Sequence, residues 1–205
     1  MICGRVHPGE TVSSWIIQGL LRFLTSDAPE AQDLRRRAVF KVVPVTNPDG
    51  VVAGNYRTSL AGKDLNRQFL RTNKELYPTV HAVKKLVQGL RTRFEEGTFA
   101  GFVDVHGHSR KKNFFLYGPR FPLHHTGYLR VRMIPRLLAE RSDMFRYAAC
   151  KFKNEKSKRK TARLVLAKEF GVVNSYTLES SFFGYIDGER GTRHFTTSRL
   201  EEIGA

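Results

Sequence analysis

The residues of this chain best suited to chemistry begin at its seventh position, where His7-Pro8-Gly9-Glu10 sets an imidazole and a carboxylate three residues apart. Both groups are good zinc ligands, and a turn fixed by Pro8 and Gly9 brings side chains at i and i+3 to one side. Two ligands are not a site, because a catalytic zinc takes three protein ligands and keeps a position open for water. The third candidate lies in Asp104-Val105-His106-Gly107-His108-Ser109. His106 and His108 fall on the same side of an extended segment, so spacing alone leaves both open. Taken alone, His-x-x-Glu is weak evidence, since an acidic residue at a helix N-terminus is the ordinary reading of Glu10.

The elements that must position these groups follow from the apolar pattern. Val12, Ile16, Leu20 and Leu24, flanked by Ile17 and Leu21, predict a helix directly after Glu10 that ends at Asp27-Ala28-Pro29. The run from Val39 to Val45 predicts a buried strand closed by the turn Asn47-Pro48-Asp49-Gly50. A polar loop then passes through Asn55-Tyr56-Arg57 to Asp64-Leu65-Asn66-Arg67, and loops of this length inside a compact domain tend to carry function. Val80, Val83, Val87, Leu90 and Phe94 predict a second helix, and Phe99 to Val105 a strand that delivers His106 at its C-terminal end. Asn113 to Tyr117 reads as a strand and Met133 to Phe145 as a helix. Val172 to Glu179 reads as the last strand, with Ser175, Thr177 and Glu179 on one face, and a helix start follows Thr196-Thr197-Ser198. Strands alternating with helices predict an α/β fold built on a mixed, mostly parallel sheet flanked by helices. In such sheets ligands sit outside the carboxyl ends of the strands, and His7, His106 and Glu179 each fall at one.

Composition limits the partners more than the chemistry. The 205 residues, 40% apolar, suit one α/β domain, so residues 1–205 are expected to form a single domain. With His7 so near the start, that domain is expected to be incomplete and truncated at its N-terminal side. The formal charge of +16 favours polyanionic partners. The stretch from Lys151 to Arg163 carries seven Lys or Arg against one Glu and is expected to be an exposed basic face able to steer an anionic tail. Two cysteines make no disulfide framework, and neither a secretory segment nor a membrane-length apolar run is present, which predicts a cytoplasmic chain with no membrane partner.

Five ordered blocks resemble a family. His7-Pro8-Gly9-Glu10, Asn47-Pro48-Asp49-Gly50, Asp64-Leu65-Asn66-Arg67, the His106 segment and Tyr176-Thr177-Leu178-Glu179 come in the order seen in zinc carboxypeptidases of the carboxypeptidase A type. Asp104 to Asn113, Gly54-Asn55-Tyr56-Arg57 and His194-Phe195-Thr196-Thr197-Ser198 look, more narrowly, like the cytosolic carboxypeptidases, which remove glutamates from tubulin and other acidic tails. The resemblance implies one zinc held by His7, Glu10 and His106, with His108 left as a hydrogen-bonding histidine. It implies Glu179 as general base, Arg57 as stabiliser of the oxyanion, and Asn66 with Arg67 as the fork for a free terminal carboxylate. It also implies Arg163 as the cation facing the departing side chain, although this chain has Lys160-Thr161-Ala162 where the family carries a Gly-Thr-Gly-like turn. The partners implied are acidic, glutamate-rich polypeptide tails. Two other readings compete: a catalytically impaired module that binds polyanions, nucleic acid being the less favoured one, and an amidohydrolase of small acyl-amino acids, whose carboxylate would suit the same fork.

Overall fold

Six short strands make one sheet in a computed structural model that describes residues 1–94, 99–188 and 190–205. They are β1 (Ile2–Gly4), β2 (Val42–Val43), β3 (Phe102–His108), β4 (Phe114–Gly118), β5 (Lys151–Phe152) and β6 (Ser175–Ser181). Their spatial order is β2-β1-β3-β6-β4-β5. The first four of that order run parallel, β4 lies antiparallel to β6, and β5 is parallel to β4, which is the mixed, mostly parallel sheet expected. A separate hairpin joins β7 (Gly184–Asp187) to β8 (Gly191–His194). The helices are α1 (Val12–Leu24), α2 (Pro29–Arg37), α3 (Pro48–Val52), α4 (Pro78–Arg93), α5 (Gly127–Arg141), α6 (Ala162–Phe170) and α7 (Thr197–Gly204).

Period-two alternation divides the sheet into two apolar faces. On one, Val105 packs with Val12, Ile16 and Ile17 of α1 and Leu200 of α7. Tyr176 on the same side packs with Val131 of α5. On the other, Phe102 packs with Val80, Val83 and Val87 of α4 and Val165 and Leu166 of α6. Asp104 and His106 share the Phe102 face, so the polar end of the strand points to the α4 and α6 side. Parallel register carries this across the sheet: Cys3 pairs with Asp104, and His106 with Glu179.

Three expectations change. The strand from Val39 to Val45 shrinks to Val42–Val43, because it forms the edge of the sheet, Val39 is 81% exposed, and Pro44 has no N–H to extend the ladder. The helix expected from Met133 to Phe145 begins six residues earlier at Gly127 and stops at Arg141, with Met133 and Leu137 on its outer face. Pro135 sits inside it and leaves the Val131 carbonyl without its helical donor; the Tyr176 hydroxyl supplies one at 2.9 Å. The basic stretch is exposed from Lys153 to Lys160 apart from Lys158, which is half-buried, but Arg163 is buried on α6, a helix the apolar pattern did not mark.

Candidate metal centre

β1, β3 and β6 end on one edge of the sheet, and the side chains expected to do chemistry meet there. The chain leaves β1 through a tight turn in which Arg5 adopts a left-handed backbone (φ 49°). A non-glycine residue holds that conformation only where its surroundings fix it. Here the Arg5 guanidinium donates to the Pro8 carbonyl at 2.8 Å and the Ser14 hydroxyl at 2.9 Å, while its amide donates to the Ser13 hydroxyl at 3.2 Å. The turn therefore folds back onto the first residues of α1 and presents His7 and Glu10 inward, both buried.

His7, Glu10 and His106 offer ligand atoms that all lie within 4.8 Å of one another. His7 Nδ1 is 2.7 Å from one Glu10 oxygen and His106 Nδ1 is 2.9 Å from the other. The far nitrogens meet two further carboxylates, His7 Nε2 with Asp64 at 3.0 Å and His106 Nε2 with Asp104 at 2.7 Å. Those partners engage Nε2 of each ring and leave both Nδ1 atoms facing Glu10. A donor set of two imidazoles and a carboxylate, each imidazole backed by an acid, fits a zinc ion.

The electrostatics follow from burial and charge. Burial works against ionisation of Glu10, yet the charge and hydrogen bond of His106, with those of His7, hold its carboxyl well below the usual range. Burial likewise opposes ionisation of Asp64, but the bond to His7 and the charges of His7, Arg57 and Arg67 keep it low. For His106, burial favours the neutral ring, and Asp104 and Glu10 overcome it, raising its pKa well above the ordinary value. Glu179 differs. Burial lifts its carboxyl to about 7 against the opposing charge of His106, so it holds or releases a proton near neutrality.

Around the trio, Asp64 organises the polar loop. Arg57 grips one Asp64 oxygen through Nε at 3.1 Å and Nη2 at 2.8 Å, and Arg67 stands 3.6 Å from the same oxygen. The Asn66 side chain bridges two elements, with its amide nitrogen 3.3 Å from His106 Nε2 and its oxygen accepting from the Ala162 N–H at 3.0 Å. Arg67 donates to the Asn66 carbonyl at 3.0 Å. Arg163 donates Nη1 to the carbonyls of Gly118 at 2.7 Å and Lys153 at 3.3 Å, while its buried Nε has no partner among the described residues. Burial lowers its pKa to about 10, with Glu155, Glu179 and Tyr117 pulling the other way. His108 stands apart from the trio: its Nδ1 accepts from the backbone of Arg110 and Lys111, and its ring meets Phe115 edge-on.

Arg5, Asp64 as the partner of His7, and Asp104 escaped the reading from sequence. Asp104 carried a signal, because it lies two residues before His106 and so on the same strand face. Asp64 carried one too, heading the Asp-x-Asn-Arg block. Nothing in the sequence marks Arg5.

The zinc carboxypeptidase family model matches residues 1–120. The chain is 44% identical over 218 residues to cytosolic carboxypeptidase 1 of Danio rerio, covering all of this chain and 19% of that relative. It is 44% identical over 205 residues to cytosolic carboxypeptidase 2 of Xenopus tropicalis, covering all of this chain and 21% of that relative. The chain thus spans about a fifth of the length of these curated relatives. Among solved structures it is similar to a metallo-carboxypeptidase from Burkholderia cenocepacia, with TM-score 0.83 and 27% identity, covering 99% of this chain and 53% of that one.

Proposed function

This chain belongs to the zinc carboxypeptidase family, and on that premise we propose that it is a zinc-dependent carboxypeptidase acting on C-terminal or branch glutamates of acidic polypeptide tails, tubulin tails among them. The observation that carries the reading is the convergence of His7, Glu10 and His106 beside the half-buried carboxyl of Glu179. These three would hold one zinc, which when bound polarises a carbonyl and makes hydroxide available near neutral pH.

The chain's own residues do the rest. Asn66 and Arg67 offer an amide donor and a planar fork to the free carboxylate of the terminal residue, which makes the enzyme read chain ends. Asn66 lies 3.3 Å from His106, so a carboxylate held by this fork would sit close to the residues that would hold the zinc. Glu179 takes a proton from the attacking water and passes it to the leaving amine, a task that suits a carboxyl lifted to about 7. Arg57, held by Asp64, supplies positive charge as the carbonyl oxygen becomes an oxyanion. Arg163 lies within the field of Glu179 and Tyr117 and supplies the buried cation expected to favour an acidic departing side chain. Among the described residues no helix is long and apolar enough to cross a membrane, in keeping with the cytoplasmic setting we propose.

The test is Glu179→Gln assayed on glutamate-tailed peptides, with metal content measured beside it. A general base contributes about 10²–10⁴-fold, so kcat should fall by that much while zinc stays near one per chain. His106→Ala should lose the zinc. Full activity in Glu179→Gln would remove the base assignment, and a folded wild-type chain that takes up no zinc would remove the whole reading.

A further inference from the structure

Beside Arg67 the surface opens into a cavity of about 500 Å³ lined by Arg67, Lys156, Ser157, Arg159 and Lys160. Four of those five side chains are cations. Lys158 adds to the same field: burial lowers its pKa, and the charges of Arg67 and Arg57 lower it further. Among the described residues, Lys156, Lys158, Arg159 and Lys160 have no carboxylate within ion-pair distance. Asp64 is already committed to His7, Arg57 and the Asn66 N–H. The charges of Glu155 and Asp64 pull the other way at Lys158, but cations outnumber carboxylates around the cavity, and such an excess attracts an anion.

The cations are held against the carboxylate fork by backbone. Phe69 N–H donates to the Lys160 carbonyl at 3.3 Å, and Ala162 N–H donates to the Asn66 side chain at 3.0 Å. The Thr161 amide and hydroxyl both return to the Lys158 carbonyl, at 2.9 and 2.8 Å. The basic segment is therefore tied at Asn66 and at Phe69, on either side of Arg67. Ser157 adds a hydroxyl donor on the cavity wall.

We propose that the wall of this cavity formed by Lys156, Ser157, Arg159 and Lys160 is a second anion site, which takes a further carboxylate of an acidic polypeptide while Asn66 and Arg67 hold the terminal one. The inference rests on the proposed carboxypeptidase reading for the second of those roles. Two anchored carboxylates raise affinity more than either alone, because the second binds at the high effective concentration set by a short peptide link. Lys156, Arg159 and Lys160 are then specificity residues. They discriminate tails carrying several acids from tails carrying only the last one.

The test compares binding of two labelled peptides by fluorescence anisotropy at low salt, a readout that needs no turnover. One peptide is hexaglutamate; the other has a single terminal glutamate after five glutamines. The variant Lys156→Ala/Arg159→Ala/Lys160→Ala removes three cations from the site, and Arg130→Ala/Arg136→Ala/Arg141→Ala removes three from the exposed side of α5. The site variant should weaken hexaglutamate by about tenfold or more and the single-acid peptide by less than about twofold. The α5 variant should change neither by more than about twofold. Equal weakening by both variants would reduce the effect to overall charge and overturn the site, as would equal weakening of both peptides, or hexaglutamate binding no tighter than the single-acid peptide to the wild type. Failure of hydrolysis with this binding pattern intact would count against the carboxypeptidase reading and leave the anion site standing.

Discussion

Asp104 shows how much of the centre depends on a side chain that would never touch the metal. It is buried on β3, pairs with His106 Nε2 at 2.7 Å, and thereby directs Nδ1 to Glu10, 2.9 Å away. Without that acceptor the ring can turn over or exchange tautomers, and the third ligand atom is lost for part of the time. Asp104→Ala should weaken zinc binding by about 10–100-fold. Asp104→Asn should recover part of the loss, since its carbonyl oxygen can still accept the Nε2 proton. Competition with a chelator of known affinity measures both, and an alanine variant with wild-type affinity would show that the His106 ring is fixed by other contacts. Residue type and spacing made His7, Glu10 and the His106 segment visible because the chemistry demands those residue types. They did not separate His106 from His108, which depends on where each ring finds a partner: Asp104 and Glu10 for one, the Arg110 and Lys111 amides for the other.

Among the elements, α1 and the start of α7 were legible and the crossing between them was not. The apolar repeat of α1 is strong, with Val12, Ile16 and Ile17 all buried, but it meets α7 at a crossing that only two glycines permit. A Cβ on Gly19 would lie 1.9 Å from the Glu201 carbonyl oxygen, and one on Gly204 would lie 1.9 Å from that of Ile16. Backbone meets backbone there, so neither contact relaxes by moving a side chain. Gly19→Ala should cost about 1–3 kcal/mol of stability, read as a lower urea midpoint. Because α1 begins just after Glu10, and Ser13 and Ser14 of that helix hold Arg5, loosening the crossing should also weaken zinc binding, whereas Gly89→Ala on open helix surface should do neither. An unchanged midpoint in Gly19→Ala would mean that the two helices shift apart at little cost. The same physics explains which elements were missed. α6 has apolar residues nearly all round, being buried against both α4 and the sheet, so it lacks a stripe to detect; its one signal was Gly171 in the left-handed conformation at its end. The edge strand β2 was overcalled because a β-branched run carries no mark of where the sheet stops.

At the scale of the whole molecule, the charge of +16 works in opposite directions on folding and on function. Like charges crowded on a folded surface repel one another, and this self-repulsion is weaker in the expanded unfolded chain. Salt shortens the reach of these fields from about 30 Å at 0.01 M to about 8 Å at 0.15 M. Screening should therefore raise the melting temperature. The ion pairs lost in exchange, such as Arg36 and Arg37 with Asp33, are exposed and contribute little. Attraction of an acidic tail depends on the same fields and should be screened by the same salt, so KM for a glutamate-rich peptide should rise over this range while kcat, set among buried groups, holds nearly constant. Thermal melts and steady-state kinetics in one salt series decide the matter. If stability and KM improve together with salt, net charge does not govern capture of the tail, and binding must rest on contacts that exclude water instead.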